Sequence, residues 1–301
     1  MRAMTLACGQ CGAALAFEGV RTEICPFCAS PNFVERPPSR HQPDPQFVVT
    51  FVGDAAWARR RLDRWIGARL WFADPALRHA RVEDLRGVYL PAYLYSAVAH
   101  TDYTAQIGEH YTETESYKTK DEHGNDKIAT RTVTRTEYRP LAGRHVGYVS
   151  DVVVSASLGL AHDELAAVEP FDLRHLRRFS PTLVSGWIHE EFSRDADTCQ
   201  RVSRAKAIDD VGMTLRRFMP GDSYSDLEWC TIVEWEAFDP VLVPLWVFAV
   251  RYRADRPPLR VVINGQTGKV GGKVPLAWWK LALAVGALAA IVAAIVWMTQ
   301  R

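Results

Sequence analysis

A chain of 301 residues with a net charge of +1 at pH 7 is long enough for two or three folded units. Its 48% hydrophobic and 24% charged residues are those of an ordinary globular protein. The near balance of charge argues against a chain given over to nucleic acid, whose binders carry a marked basic excess.

Four of the six cysteines fall in the segment 1–36. Cys8, Cys11, Cys25 and Cys28 follow the spacing C-x2-C-x13-C-x2-C. Each C-x2-C pair places two sulfurs on one tight knuckle, and the residues between form a hairpin that brings the knuckles together, the donor set of a tetrahedral zinc ion. Gly12 and Pro26 suit such turns. A shell closed by four cysteines leaves no position for water, so one structural zinc is expected and not a catalytic one. Arg2 and Arg21 are balanced by Glu18 and Glu23, which favours docking to a protein, or an inherited ribbon with no separate role, over DNA binding. The N-terminus lacks the continuous apolar segment of a secretory signal, and reduced thiolate ligands point to the cytosol. Cys199 and Cys230 are then expected as free thiols.

The stretch RPPSRHQPDP (Arg36 to Pro45) carries four prolines, which fix φ and remove donors. It is taken as a semi-rigid linker over 37–46, holding the ribbon away from the next domain.

The segment 47–274 is expected to be an α+β domain with antiparallel strands. Asp54 is a plausible cap for a helix in which Leu62, Trp65, Ile66 and Leu70 recur at helical spacing. Its arginines, Arg59, Arg60, Arg61, Arg64 and Arg69, have two readings. They form a basic face for anionic lipid headgroups or nucleic acid, or else the solvated side of a domain helix with Glu83 and Asp84 nearby. Asp74-Pro75 opens a second short helix. Val88 to His100 reads as a buried strand.

Residues 109–138 alternate polar side chains on both flanks of Gly124-Asn125, which predicts a long hairpin with both faces wet. Pro170 to Phe179 and Ala196 to Phe218 look helical, the second stopped by Pro220-Gly221-Asp222. LEWCTIVEWEAF, VPLWVFAVRYRA and LRVVINGQTGKVGG read as strands, with a tight turn from Asn264-Gly265 to Gly268. Pro91 to Ala99 echoes Pro244 to Tyr252, either as a duplicated subdomain or as two core strands with the same needs.

Residues 275–299 are read as a single transmembrane helix. Leu276 to Met298 is apolar but for Lys280, and Trp278, Trp279 and Trp297 stand at its ends, where indoles favour membrane interfaces. Lys269 and Lys273 precede it and Lys280 lies near its start, with Arg256 and Arg260 adding to that side, while Arg301 alone comes after it. By the positive-inside rule the N-terminal bulk faces the cytosol, at the inner membrane.

No catalytic signature is found, and the chain is read as a non-enzyme. Gly265-Gln-Thr-Gly-Lys269 is too short for a phosphate-binding loop. His189-Glu190-Glu191-Phe192-Ser193 begins like a zinc-protease helix but lacks the second histidine, and G-x-S-x-G is absent.

The order of parts resembles bacterial zinc-ribbon proteins with one C-terminal membrane span, often labelled primosomal protein or helicase-like. The matching pieces are Cys8-x2-Cys11 with Cys25-Pro-Phe-Cys28, Gly87 to Tyr93, Pro244 to Phe248, Asn264 to Lys269 and Gly272 to Pro275. The resemblance implies protein partners among membrane-associated scaffolds, phage-shock-type or flotillin-like. It does not extend to a helicase, because no nucleotide-binding loop is present. The expectation is a membrane-tethered zinc-ribbon adaptor serving a membrane-stress system. The alternative is a nucleic-acid-binding protein held at the membrane by its span and using the ribbon and the Arg59–Arg69 helix.

Overall fold

The computed structural model describes residues 5–16, 24–36, 42–69, 73–79, 81–120, 126–253, 256 and 258–299. Arg2, Glu18, Arg21, Glu23, Leu70, Arg301 and the expected turn at Gly124-Asn125 lie outside the described residues. Eleven strands are seen among those described. They are β1 (Thr5–Cys8), β2 (Ala14–Ala16), β3 (Phe33–Arg36), β4 (Phe47–Val49), β5 (Arg81–Lys120) and β6 (Asp126–Ser155). The rest are β7 (Leu176–Arg178), β8 (Ile188–Glu190), β9 (Ser223–Arg251), β10 (Leu259–Asn264) and β11 (Val270–Gly272). The helices are α1 (Ala55–Arg69), α2 (His162–Ala166), α3 (Pro181–Val184), α4 (Ala196–Phe218) and α5 (Trp278–Thr299). The fold is thus mixed α and β with a large, mostly antiparallel sheet, whose strand order runs β11-β10-β9-β5-β8-β2-β1-β3.

The chain gathers into two compact units. The first comprises Met1–Tyr95, Val153–Gln200 and Phe238–Arg301. In it, β9 pairs antiparallel with β10 from Leu245↔Asn264 to Val250↔Leu259, and β10 with β11 from Val261↔Gly272 to Ile263↔Val270. The turn between β10 and β11 is built by Asn264. Its Oδ1 accepts from the N–H groups of Gln266 and Thr267, and its amide donates to the carbonyls of Val168 and Pro170. Gly268 closes the turn at φ +76°, a left-handed conformation that favours glycine.

Helix α1 begins as its sequence dictates: Asp54 Oδ1 accepts from the Trp57 N–H at 2.7 Å. Ala58, Leu62 and Trp65 are buried against Trp246, Phe248, Val250, Val261 and Ile263. A leucine fully buried in this way contributes roughly 1.5–3 kcal/mol. Asp74 caps the 3-10 turn Pro75–His79 through the Ala76 N–H.

Two expectations of secondary structure are corrected. Pro170 to Phe179 is not a helix: one 3-10 turn, Leu173–His175, is followed directly by β7. The antiparallel partner β4, from Phe47↔Arg178 to Val49↔Leu176, supplies the backbone hydrogen bonds that a helix would have made internally. The two separate strands expected from Leu227 to Ala254 are one element, β9, within which Trp235 at φ +53° shifts the alternation of exposed residues.

The second unit comprises Ser96–Val152 and Arg201–Ala237. Here β5 pairs with β6, and cross-strand partners run in opposite senses: Asp102 meets Arg144, His110 meets Thr136, and Glu115 meets Arg131. On the other side of β5, Thr101 bonds Thr231 at 2.9 Å and the His110 N–H donates to Asp222. Odd-numbered residues of the strands face α4: Phe218 packs on Tyr103 and His145, and the Arg216 guanidinium lies 5.4 Å from the Trp229 ring centre. Along 109–119 and 126–138 the side chains are mostly exposed on both faces, as the polar alternation requires.

Candidate metal centre

The four-cysteine cluster is assembled from two copies of one backbone device. In the first, the Gly12 N–H donates to the Cys8 carbonyl at 3.0 Å and the Cys8 N–H donates to the Ala13 carbonyl at 2.8 Å. In the second, the Ala29 N–H donates to the Cys25 carbonyl and the Cys25 N–H to the Ser30 carbonyl, both at 2.8 Å. Each knuckle needs a left-handed residue four places after its first cysteine, and Gly12 (φ +79°) and Ala29 (φ +57°) supply it. The turns aim the four sulfurs at a common point.

All four sulfurs lie within 4.8 Å of one another. Cys8 and Cys28 are 3.5 Å apart, and Cys11 and Cys25 are 3.7 Å apart. A zinc ion bound by thiolates at about 2.3 Å needs tetrahedral edges of about 3.8 Å, so the spacing fits. None of the four is in a disulfide. Their electrostatics match the same chemistry. The hydrogen bond from Cys25 draws the Cys11 thiol down to about 5, the shared proton drives Cys25 up, and burial pushes Cys28 up to about 11. Four thiols packed this closely resist ionising together, and a divalent cation is what stabilises all four thiolates at once. The residues present can hold one metal ion.

The ribbon is not held away on its proline linker. β2 adds antiparallel to β8 through Leu15↔Glu190 and Ala16↔His189, and β8 runs parallel to β5. Thr5 Oγ1 donates to Glu191 at 2.6 Å, and the Glu191 N–H donates to the Ala14 carbonyl at 2.8 Å. Cys8, Ala13, Leu15, Cys25 and Phe27 belong to the same buried cluster as Val88, Leu90, Leu160 and Leu245. A ribbon this small has little core of its own, and the sheet edge offers both apolar cover and backbone partners.

Sequence reading missed Glu190 at this junction. The segment that begins like a zinc-protease helix is strand β8, and Glu190 is buried beneath the ribbon. Its Oε1 accepts from Ser157 Oγ at 2.7 Å and from the Ala14 N–H at 3.4 Å, while Oε2 has no partner among the described residues. Burial pushes its carboxyl up to about 8. Only the neighbouring acidic pair in the sequence hinted at it.

The other expected features also find their places. Cys199 is buried and Cys230 exposed, and neither forms a disulfide. Arg59 pairs with Asp63 at 3.3 Å, Arg61 lies over Trp57 and Arg69 over Trp65. In α5, Trp278–Met298 is 21 residues long and apolar but for Lys280, and none of its described side chains is buried. At about 1.5 Å per residue it reaches a hydrocarbon core of about 30 Å, so it is long and apolar enough to cross a membrane.

These features define an α+β chain with a four-cysteine ribbon built into the edge of a sheet and one apolar helix of membrane-spanning length. No protein-family model matches the sequence, and no solved structure matches it. The chain is 23% identical over 239 residues to a protein of Bacillus subtilis (strain 168) named "Uncharacterized protein YdjG". The similarity covers 79% of this chain and 66% of that protein, slightly under two thirds of its length.

Proposed function

We propose that the protein is a membrane-tethered adaptor in which a zinc ion clips the ribbon to the sheet, α5 anchors the chain, and a cytosolic protein partner docks on the second unit. The observation that carries this reading is the outer face of that unit's sheet. On the side of β5, β6 and β9 away from α4, even-numbered side chains stand uncovered, among them Val146 (62% exposed), Tyr148 (71%) and Ile232 (64%). Trp235, where the alternation along β9 shifts, is 83% exposed. Large apolar side chains gathered on one face, framed by the His100–Glu234 and Asp102–Arg144 pairs, have the make-up of a protein-docking surface. A cytosolic body is supported by the excess of lysine and arginine before α5 and by ligands that must stay reduced. Phage-shock-type or flotillin-like scaffolds are the partners that the resemblance suggests.

The test is affinity capture of the full chain from detergent-solubilised membranes, comparing wild type with Val146→Ser/Tyr148→Ser/Ile232→Ser and with Cys8→Ser/Cys11→Ser. A partner lost with the first variant supports docking on the sheet face. Unchanged recovery with that variant removes the second unit from the proposal.

A further inference from the structure

The arginine helix α1 is latched to the foot of the apolar helix α5. Ala73, four residues beyond the end of α1, forms a bridge with Leu276, and its N–H donates to the Arg69 carbonyl at 3.2 Å. The Asp74 N–H donates to the Pro275 carbonyl at 2.9 Å. Lys280 Nζ, within the first turn of α5, donates to the Ala73 carbonyl at 2.9 Å. These contacts fix the C-terminal end of α1 beside the point where α5 begins.

The faces of α1 are sharply divided. Ala58, Leu62 and Trp65 take the core, while Ala56, Arg60, Arg64 and Gly67 lie on the opposite side. Five arginines stand against a single aspartate in the helix, and that aspartate, Asp63, is engaged by Arg59. Among the described residues Arg60 and Arg64 have no ion-pair partner. The small side chains of Ala56, Gly67 and Ala68 leave the guanidinium groups clear on that face. Asp74, the acid just beyond the helix, is already paired with Arg253 at 2.8 Å.

We infer that the exposed face of α1, through Arg60 and Arg64, binds the anionic phosphate headgroups of the leaflet that α5 enters. This rests on the reading of α5 as a membrane span. Guanidinium groups form paired hydrogen bonds with phosphate oxygens, and juxtamembrane basic residues gain from the negative surface potential only within about a Debye length, roughly 8–10 Å. The latch at Ala73 and Lys280 holds the C-terminal end of α1 near that surface. Nucleic acid is disfavoured as the occupant because the basic face is one short helix and the chain as a whole is nearly neutral. The lipid contact would orient the body of the first unit on the bilayer, beyond what a single flexible anchor can do.

The experiment uses the full, metal-loaded chain in nanodiscs of neutral phosphatidylcholine or of phosphatidylcholine with phosphatidylglycerol. Phenylglyoxal modification is followed at single arginines by mass spectrometry, with Arg144, 87% exposed in the second unit, as the internal reference. Modification of Arg60 and Arg64 should slow about fivefold or more on the anionic discs, recover at high salt, and leave Arg144 unchanged. Equal rates at Arg60 and Arg64 in stably inserted protein would overturn the inference while leaving the anchor intact. Failure to insert into either disc would overturn both. Protection by a duplex oligonucleotide but not by anionic lipid would overturn it in favour of nucleic acid.

Discussion

Ser157 Oγ donates to Glu190 Oε1 across 2.7 Å, and both side chains are closed off from solvent beneath the cysteine ribbon. The hydroxyl also receives the Gly159 and Leu160 N–H groups, so the carboxyl is tied to a loop with several fixed donors. The junction between the ribbon and the sheet is therefore a polar one with an apolar surround.

Its consequence is a pH dependence of known sign. Unfolded, a glutamate titrates near about 4.3. Folded, burial holds Glu190 up to about 8. A raised carboxyl pKa means that the native state keeps a proton that the unfolded chain releases, so this group's contribution is full at low pH and is lost as pH rises towards 8. Glu190→Gln removes the titration and keeps the acceptor. Urea unfolding in detergent, at saturating zinc, should show wild type losing stability relative to the variant up to about pH 8 and running parallel above it. A pH-independent difference would mean that the native carboxyl is ionised.

The matched knuckles give opposite outcomes for two substitutions. Ala29 occupies a left-handed conformation that costs a non-glycine residue about 1 kcal/mol, so Ala29→Gly should stabilise the ribbon by up to that amount. Gly12→Ala places a methyl in the same conformation and 3.2 Å from Leu158 Cβ, and should destabilise by about 1 kcal/mol or more. Thermal unfolding of the two variants beside wild type reads both signs.

Metal removal should loosen more than the ribbon. Elemental analysis is expected to give one zinc per chain, falling steeply with Cys25→Ser, because the other three sulfurs cannot close the shell. Since β2 pairs with β8, chelation should also increase hydrogen exchange at Ile188–Glu190. Exchange confined to the ribbon would separate the metal from the sheet.

The two faces of α1 should respond differently to alanine. Leu62→Ala, at a fully buried position, should cost about 2–5 kcal/mol. Arg64→Ala, exposed and unpaired among the described residues, should stay within about 0.5 kcal/mol. Denaturant midpoints compare them directly, and a large loss at Arg64 would mean a structural role that its exposure does not explain.

Local chemistry made much of this fold legible. The Asp54 and Asp74 caps, the Asp195 contact at the start of α4, the Asn264 turn and the cysteine knuckles each arise from hydrogen bonds between residues a few places apart. The gathering of the four cysteines was readable for that reason, since the two knuckles are local devices. What could not be read depends on partners distant in sequence. Leu176–Arg178 is extended because Phe47–Val49 lies beside it, and the ribbon docks because Ile188–Glu190 presents an edge to Ala14–Ala16. Glu190 stayed hidden because a lone carboxylate shows its burial only once Ser157 and Ala14 are folded around it.

Whether the chain is anchored in the membrane with its body in the cytosol is read out by labelling Cys230 with a membrane-impermeant maleimide. This thiol is exposed, whereas Cys199 is buried and the four ribbon thiols would be held by metal. The protein should stay with the membrane pellet after carbonate extraction, and Cys230 should react in inverted membrane vesicles but not in intact cells. Labelling of Cys230 in intact cells, or release of the chain into the carbonate supernatant, would contradict it.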